Sequence, residues 1–299
     1  MSEGILSLRR SVQMMLLSAA VPVAAGLLAS DAEAAILELD TNAANTSIDG
    51  HATNANWNTT TDKVFVQYLP DVAYTNIAWI QGSDLQIGVT SANGRTLTIN
   101  EGGAIQAASI LFNNGNRPRI QAATGADSLE FVGAGAIRVL NGVLTISSPI
   151  TGASTNGVSI VSARNNATYA NTAAGLAVFA GANTYTGPTY VGVDGTYERV
   201  STLVGPGLGL RGLNGAIQTS SAINIGQGGT LALDNFNAAE GIGSASNLNR
   251  LGDAIPVNMR GGTLALIGAN TTVSTETIGA VTLNGGANTL VASRGNTGG

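Results

Sequence analysis

The chain has 299 residues, including 40 glycines and no cysteine; 44% of the residues are hydrophobic, 10% are charged and 4% are aromatic. Average soluble domains carry about 25% charged residues, so this composition argues against an ordinary soluble enzyme and leaves Thr, Ser and Asn to make the polar surface. A net charge of −5 with a single lysine, Lys63, argues against a nucleic-acid partner, and without disulfides stability must come from size, stacking and burial.

Residues 1–34 predict a signal peptide. Arg9 and Arg10 give a positive start, residues 12–29 are mostly apolar, and the segment 32–34 (Ala-Glu-Ala) fits a small-x-small cleavage site. Two alternatives stay open: a membrane anchor, because the apolar run is close to the minimum spanning length, and a twin-arginine signal. No second apolar span follows, so we expect an exported mature chain without a membrane span.

Residues 35–81 form an irregular region rich in Asn and Thr, with both tryptophans of the chain and its one histidine, His51. We predict that this region is an N-terminal cap in which Trp57 and Trp79 cover the first coil of the domain that follows. Uncapped ends of stacked folds expose apolar surface and unpaired strand edges, so such a cap is required in that architecture.

Residues 82–299 predict short strands that each bury one face. In "RTLTI", Leu97 and Ile99 alternate with two threonines, which is the period of two of a half-buried strand. Segments rich in Gly and Asn, such as "SANG" and "NGG", separate the strands as turns. The pairs predicted to be buried are Leu97 and Ile99, Leu129 and Phe131, Ile137 and Val139, Leu144 and Ile146, Ile223 and Ile225, Leu231 and Leu233, Leu264 and Leu266, and Val281 and Leu283.

A repeated phrase predicts how these strands are arranged. "QGGTLALDN" at residues 227–235 returns as "RGGTLALIG" at residues 260–268. A stacked fold needs the same small apolar pair at the same point of every coil, so we predict an all-β parallel β-helix, or β-solenoid; a β-sandwich is the alternative. The low charge content agrees, because like charges would align between coils. Residues 236–253 predict a loop, since Gly241 and Gly243 would each cost about 1 kcal/mol in a helix.

Two segments carry a resemblance to a known family. "AGANTYTGPTYV" at residues 180–191, and residues 248–290 with "NRLGDAIPV", "GGTLAL" and "ETIGAVTL", resemble the autotransporter-associated β-strand repeat, the passenger repeat of large exported bacterial proteins. The resemblance lies within roughly residues 175–292. After Val191 the family usually continues into a "GGTL" strand, whereas this chain has "GVDGTYERVSTL", so the coil register near residues 192–215 is not predicted.

The resemblance implies a right-handed β-helical passenger that binds no cofactor and is exported to the cell surface, the outer membrane or the extracellular space. We expect the export machinery as a partner, and a surface glycan or neighbouring-cell ligand if the faces of the coil are adhesive. Such passengers commonly end in an outer-membrane barrel, whereas this chain ends in "RGNTGG". We therefore expect residues 82–299 to be repeats truncated at the C-terminus, the front part of a longer protein.

Candidate residues for catalysis, cofactor binding or metal binding do not assemble into a recognisable site. His51 stands alone without cysteine, and the calcium-like series Asp40, Asn42 and Asp49 has Ala44 where a third oxygen ligand is needed. "GLGLRG" at residues 207–212 matches a dinucleotide pattern, but no strand followed by a helix frames it, so these are interpreted as turn glycines. The sequence thus predicts no catalytic, cofactor or metal site.

Two rivals to a purely structural stalk or passenger stay open. A polysaccharide-active lyase or hydrolase would need gathered carboxylates, and the nearest sets are Glu38 with Asp40, and Asp194 with Glu198 and Arg199. An adhesive surface would use exposed Thr and Asn with Tyr185, Tyr190 and Tyr197, although these tyrosines could equally pack between coils. The expected function is structural, with adhesion as an added role.

Overall fold

The structure, a computed structural model, describes residues 34–41, 53–67, 75–88, 95–113, 117–153, 157–161, 175–192, 207–237, 242–270 and 272–295. Residues 1–33 of the predicted signal peptide lie outside this part. Every regular element in the described ranges is a β-strand, which confirms the all-β prediction. Accordingly, among the described residues there is no helix of the length and apolarity that crossing a membrane requires.

The chain forms twenty-three described strands, which are short and separated by turns. The first eleven are β1 (Ile36–Leu39), β2 (Ala55–Trp57), β3 (Phe65–Gln67), β4 (Asn76–Ile77), β5 (Ser83–Ile87), β6 (Thr96–Ile99), β7 (Ala104–Asn113), β8 (Arg119–Ala122), β9 (Ser128–Asn141), β10 (Val143–Ile146) and β11 (Ile150–Thr151). The others are β12 (Val158–Val161), β13 (Leu176–Phe179), β14 (Ala182–Asn183), β15 (Thr189–Val191), β16 (Gly207–Leu210), β17 (Ala216–Ile217), β18 (Ile223–Ile225), β19 (Thr230–Asp234), β20 (Val257–Met259), β21 (Thr263–Gly268), β22 (Val281–Leu283) and β23 (Thr289–Arg294).

Two long sheets contain all of these strands except β14 and β17, which pair with each other in parallel, and from β5 onward the strands follow one another in chain order. The first sheet runs β4-β3-β1-β5-β7-β9-β12-β15-β18-β20-β22, with β11 paired to β9, and the second runs β2-β6-β8-β10-β13-β16-β19-β21-β23. From β5 onward the described pairs are all parallel. The chain visits one sheet, then the other, and returns one strand further along. This is a parallel β-helix, and it excludes the sandwich alternative, whose sheets are antiparallel.

The repeated phrase lies directly on itself. β19 and β21 pair in parallel with Thr230 opposite Thr263 and Leu231 opposite Leu264. The two leucines of each copy point inward, so successive coils present the same apolar pair to one interior column. The prediction that repetition reflects stacking is therefore confirmed.

The double glycine before each of these strands has a steric reason. Gly228 and Gly261 have φ values of 72° and 80°, a backbone region that favours glycine. The second glycine lies against the preceding coil: a Cβ on Gly229 would lie 2.2 Å from the carbonyl oxygen of Val191, and one on Gly262 would lie 2.4 Å from Cγ2 of Ile225. The phrase "GGTLAL" thus encodes a turn, a close approach between coils and an inward-facing strand.

Most side chains predicted to be buried belong to one continuous core. The prediction is wrong for Leu283, which is 59% exposed, while Leu266 and Val281 are half-buried. An inward side chain is fully covered only when a coil lies on each side of it, and β22 and β23 have a neighbouring described strand on one side only. The members confirmed as buried are Leu97, Ile99, Leu129, Phe131, Ile137, Val139, Leu144, Ile146, Ile223, Ile225, Leu231, Leu233 and Leu264.

The region 35–81 is more regular than the sequence predicts, because it holds β1 to β4. β1 pairs in parallel with β5 and antiparallel with β3, and β2 pairs in parallel with β6. Trp57, Phe65 and Trp79 form a buried aromatic cluster with ring centroids 4.9 to 6.1 Å apart. Both tryptophans thus lie in the core beside the first coil, while their capping role stays a prediction.

Candidate functional site

Several residues singled out in the sequence lie outside the described part of the chain. They are Asn42, Asp49, His51, Asp194, Tyr197, Glu198 and Arg199. The described residues contain no group of three or more His, Cys, Asp or Glu side chains placed to hold a metal ion. The candidates that the structure does place are the Glu38 and Asp40 pair, the glycines of "GLGLRG", Tyr185 and Tyr190.

The glycines of residues 207–212 serve two purposes. Gly207 and Gly209 lie within β16, which pairs with β13 on one side and β19 on the other, so their interpretation as turn glycines is wrong. Gly212 does lie in a turn, with a φ of 71°. The strand register also resolves the part of the coil after residue 206 that the sequence left open.

Glu38 and Asp40 form a buried acidic pair at the end of β1. Both are at least 95% buried, and burial followed by the neighbouring charge of Asp40 raises the pKa of Glu38. Oε2 of Glu38 lies 3.5 Å from the Gln86 amide nitrogen, and its buried Oε1 has no hydrogen-bond partner. The arrangement favours a proton on Glu38; a lyase or hydrolase would also need a substrate cleft over the pair.

Tyr185 is an interior residue and not part of an adhesive surface. Its side chain is 3% exposed, and its hydroxyl lies 2.6 Å from Oγ1 of Thr189, which in turn lies 3.0 Å from Oγ of Ser220. Ser220 donates to the carbonyl oxygen of Gly187. Burial also raises the pKa of Tyr185 above its ordinary value. The packing alternative is therefore the right one for this tyrosine.

Tyr190 points away from the core and belongs to a row of polar side chains on the first sheet. It lies between buried Thr189 and Val191 in β15. In parallel register it is opposite Ser159 of the preceding coil and Asn224 of the next one. The row continues toward the C-terminus, and we call its members the polar column: Ser159, Tyr190, Asn224, Asn258 and Thr282.

The sequence could not assemble the polar column, because its members are separated by coils of unequal length. Four of them were visible only as a polar residue between two apolar ones in a strand, and Tyr190 stands between Thr189 and Val191. Within the column, Nδ2 of Asn258 donates to Oδ1 of Asn224 over 3.1 Å. All five members keep part of their surface exposed.

Carboxylates bind one coil to the next at several corners. Oδ1 of Asp127 accepts from the backbone N–H groups of Glu101 and Gly102, and Glu101 itself accepts from the N–H and hydroxyl of Thr59. Burial would raise the pKa of Asp127, but its hydrogen bonds with Thr124 and with these N–H groups prevail and lower it. Backbone N–H groups that a turn leaves unpaired are satisfied in this way.

A buried arginine holds the loop predicted between residues 236 and 253. The guanidinium of Arg250 donates to the carbonyl oxygens of Gly212, Gly215 and Ala245 and to Oδ1 of Asn235, at 2.8 to 3.0 Å. Burial lowers the pKa of Arg250 to about 10, against the opposing charges of Asp234 and Glu276.

The loop prediction is confirmed, since its described residues form no strand. The carboxylate of Glu276, one coil later, accepts from the backbone N–H groups of Arg250 and Leu251. Burial, the largest influence, raises the pKa of Glu276 despite these two bonds.

The concave surfaces formed by the described residues are shallow and open. One cleft of about 260 Å³ lies over the second sheet at its β2 end and is lined mainly by polar side chains, among them Thr53, Asn56, Asp62 and Thr98. A larger cleft of about 490 Å³ lies at the other end of the same sheet, where its lining includes Leu266, Val273, Ala292 and Arg294. Neither is enclosed in the way that small-molecule sites usually are.

Comparison of the chain with protein-family models, with curated proteins and with solved structures finds no match.

Proposed function

We propose that this chain is the structural part of an exported, autotransporter-like surface protein, a non-catalytic stalk or passenger. The observation that carries the proposal is the in-register stack, in which the two "GGTLAL" strands and their neighbours in the first and second sheets repeat one interior column. A stack of this kind extends by adding coils and presents long faces to the outside.

The connections between coils also support a mechanical role. Backbone ladders in both sheets, the carboxylate bridges of Asp127 and Glu276, and the buried Arg250 all join one coil to the next. The side chains of Asp127, Glu276 and Arg250 thus form their hydrogen bonds within the protein, between one coil and the next. The resemblance of residues 175–292 to the autotransporter-associated repeat and the predicted signal peptide give the proposal its location at the cell surface.

Export is tested by producing the whole chain in a Gram-negative host. We expect a mature protein whose N-terminus is Ala35, identified by mass spectrometry of the intact protein, and enrichment outside the cytoplasm on fractionation. A matched variant with Arg9 and Arg10 replaced by Glu should stay unprocessed, because signal peptides need a positive start. An unprocessed wild-type chain in the cytoplasm would contradict the proposed location.

The enzymatic alternative is tested by assaying neutral and acidic polysaccharides with the purified mature chain. We expect no release of reducing ends or unsaturated products from either class. If turnover appears and disappears in Asp194→Asn, the alternative of a polysaccharide lyase or hydrolase is correct and the stalk proposal is wrong.

A further inference from the structure

We propose that the polar column binds a neutral, extended polysaccharide that lies along the axis of the coil. The inference rests on the proposed function, because it gives the surface segment a partner. The column crosses five consecutive strands of the first sheet, β12, β15, β18, β20 and β22. It presents a continuous row of hydroxyl, phenol and amide groups that the interior bonds of the stack leave on the outside.

The spacing of the column matches the spacing of such a ligand. Neighbouring strands lie about 4.8 Å apart, which is close to the length of one hexose unit in an extended chain. A polysaccharide aligned with the coil axis would therefore meet one column residue for each sugar. A ligand with a different repeat would lose this match after two or three coils.

The chemistry of the column fits the two sides of a sugar ring. Tyr190 supplies an aromatic ring with a polar hydroxyl, which suits the apolar C–H face of a hexose and its hydroxyl rim. An amide side chain has two donor hydrogens and a carbonyl acceptor. The bond between Asn258 and Asn224 uses one donor and one lone pair, so the Asn224 nitrogen and the Asn258 oxygen can bond to sugar hydroxyls.

Small apolar residues beside the column keep this strip open. Ala222, Pro256 and Ala280 stand two positions before Asn224, Asn258 and Thr282, immediately ahead of β18, β20 and β22, and like the column residues they keep part of their surface exposed. None of these residues carries a long side chain that could cover the amides. These short side chains leave the strip accessible to a chain of sugars.

Charge selects a neutral partner. None of the five column residues is charged, and the protein has a net charge of −5, so an acidic polysaccharide would be repelled overall. Among the described residues, exposed Arg260 lies two residues after Asn258, and exposed Arg138 lies on β9 opposite Val161, two residues after Ser159. These two separate cations do not make the row of basic residues that a polyanion requires.

The test is titration calorimetry of the mature chain with three hexasaccharides: cellohexaose, which is neutral and extended, maltohexaose, which is neutral and curved, and hexagalacturonate, which is acidic. We expect binding of cellohexaose alone. Tyr190→Ala should weaken it by about tenfold or more, equivalent to about 1.4 kcal/mol, and Tyr190→Phe should retain most of it because the ring remains. Asn258→Ala should weaken binding by about threefold to tenfold through the lost hydrogen bond.

The matched control is Thr230→Ala, on the outward face of the second sheet, which should leave the affinity unchanged. Each variant is also checked by thermal unfolding, and if Tyr190→Ala unfolds, the comparison rests on Asn258→Ala and Tyr190→Phe. No binding of cellohexaose, binding of hexagalacturonate alone, or equal binding by wild type and Asn258→Ala would overturn the inference. These results would leave the stalk proposal intact, since that proposal depends on export and on the absence of turnover.

Discussion

Single side chains stabilise the turns of the coil by hydrogen bonds, and Arg250 is the clearest case. Its guanidinium bonds to three backbone carbonyls and to Asn235. Arg250→Met would leave these buried acceptors without their donor and would remove the positive charge that lies near Asp234 and Glu276. We expect it to lower the free energy of unfolding by about 3–5 kcal/mol, as measured by urea denaturation.

Two further variants make the Arg250 prediction specific. Arg250→Lys keeps the charge but loses the planar fork, so we expect an intermediate loss of stability. The exposed Arg260→Met is the matched control and should change the free energy of unfolding by no more than about 0.5 kcal/mol. Equal stability of Arg250→Met and Arg260→Met would contradict the role assigned to Arg250.

Asp127 gives a prediction about pH. Its pKa in the folded protein is lowered, so the bonds of its charged form stabilise the fold fully above the ordinary Asp value of 3.8 and are lost as the pH falls below it. We expect Asp127→Ala to reduce the free energy of unfolding by about 1.5–3 kcal/mol at pH 7. The difference from wild type should shrink as the pH falls below 3.8, measured by urea unfolding at a series of pH values on both sides of it; a difference independent of pH would refute the prediction.

For single residues, the sequence predicts whether a side chain faces the core or the solvent better than it predicts which groups that side chain bonds to. Strand alternation correctly placed Ile137 and Val139 inside and Arg138 outside. It could not predict that Arg250, within a loop rich in Gly and Asn, would be fully buried, because its bonding partners are contributed by different coils. For the same reason Tyr185 and Tyr190, five residues apart, could not be separated into an interior and a surface residue.

At the scale of the element, the glycine pair before each repeated strand gives a second stability prediction. A Cβ on Gly229 would lie 2.2 Å from the backbone oxygen of Val191, and neither atom can move without separating two coils. We expect Gly229→Ala to lower the free energy of unfolding by about 1–3 kcal/mol or more, as overpacked sites do. Urea denaturation monitored by circular dichroism measures the change.

Gly103 is the matched control for this substitution. Its backbone φ is not positive and an added Cβ would meet no atom within 4 Å, so Gly103→Ala should be neutral or slightly stabilising. If both variants lose the same stability, the close approach at Gly229 is not what the glycine provides.

Strands with strong alternation and flanking glycines were predictable, and those without them were not. β6, β10, β19 and β21 follow the pattern, and the structure has strands at these places. The short strands β2, β3 and β4 have two or three residues each and lie in segments rich in Asn and Thr. They pair because neighbouring strands and the aromatic cluster fix them, which is tertiary information that no local pattern contains.

For the whole molecule, the two ends of the stack are covered differently. At the β1 end Trp57, Phe65 and Trp79 are buried together, whereas at the other end Leu283 and Leu290 are each 59% exposed. Deleting residues 35–81 would uncover β5 and β6 and the inward-facing Leu85 and Leu97.

We therefore expect the shortened chain to aggregate, with a much smaller soluble fraction than the intact mature chain at the same concentration, measured by centrifugation and light scattering. A control with Trp57 and Trp79 replaced by Phe keeps the strands and most of the apolar volume, and should remain soluble with reduced stability. A fully soluble, folded chain without residues 35–81 would show that this region is not a cap.

The parallel architecture was predictable from the repeated phrase, whereas the coil lengths were not. Paired Ile137 and Ile160 are 23 residues apart, and paired Ile225 and Met259 are 34 residues apart. The longer coil contains the loop predicted at residues 236–253, whose Leu251 still pairs with Ile217 of the preceding coil. No single repeat length therefore predicts the register of all coils, and for this reason the polar column could not be predicted from the sequence.

The two identical hexapeptides also allow a non-native register during folding. A strand with the sequence "GGTLAL" can occupy its own position or that of the other copy, one coil away, and in both cases the same two leucines face inward. The residue that follows differs: Asp234 binds Arg211 and the amides of residues 236 and 237, whereas the second copy has Ile267 there. Asp234 thus helps to specify the register of its strand. If either copy took the other's position, a carboxylate or an isoleucine would lie against the wrong partners.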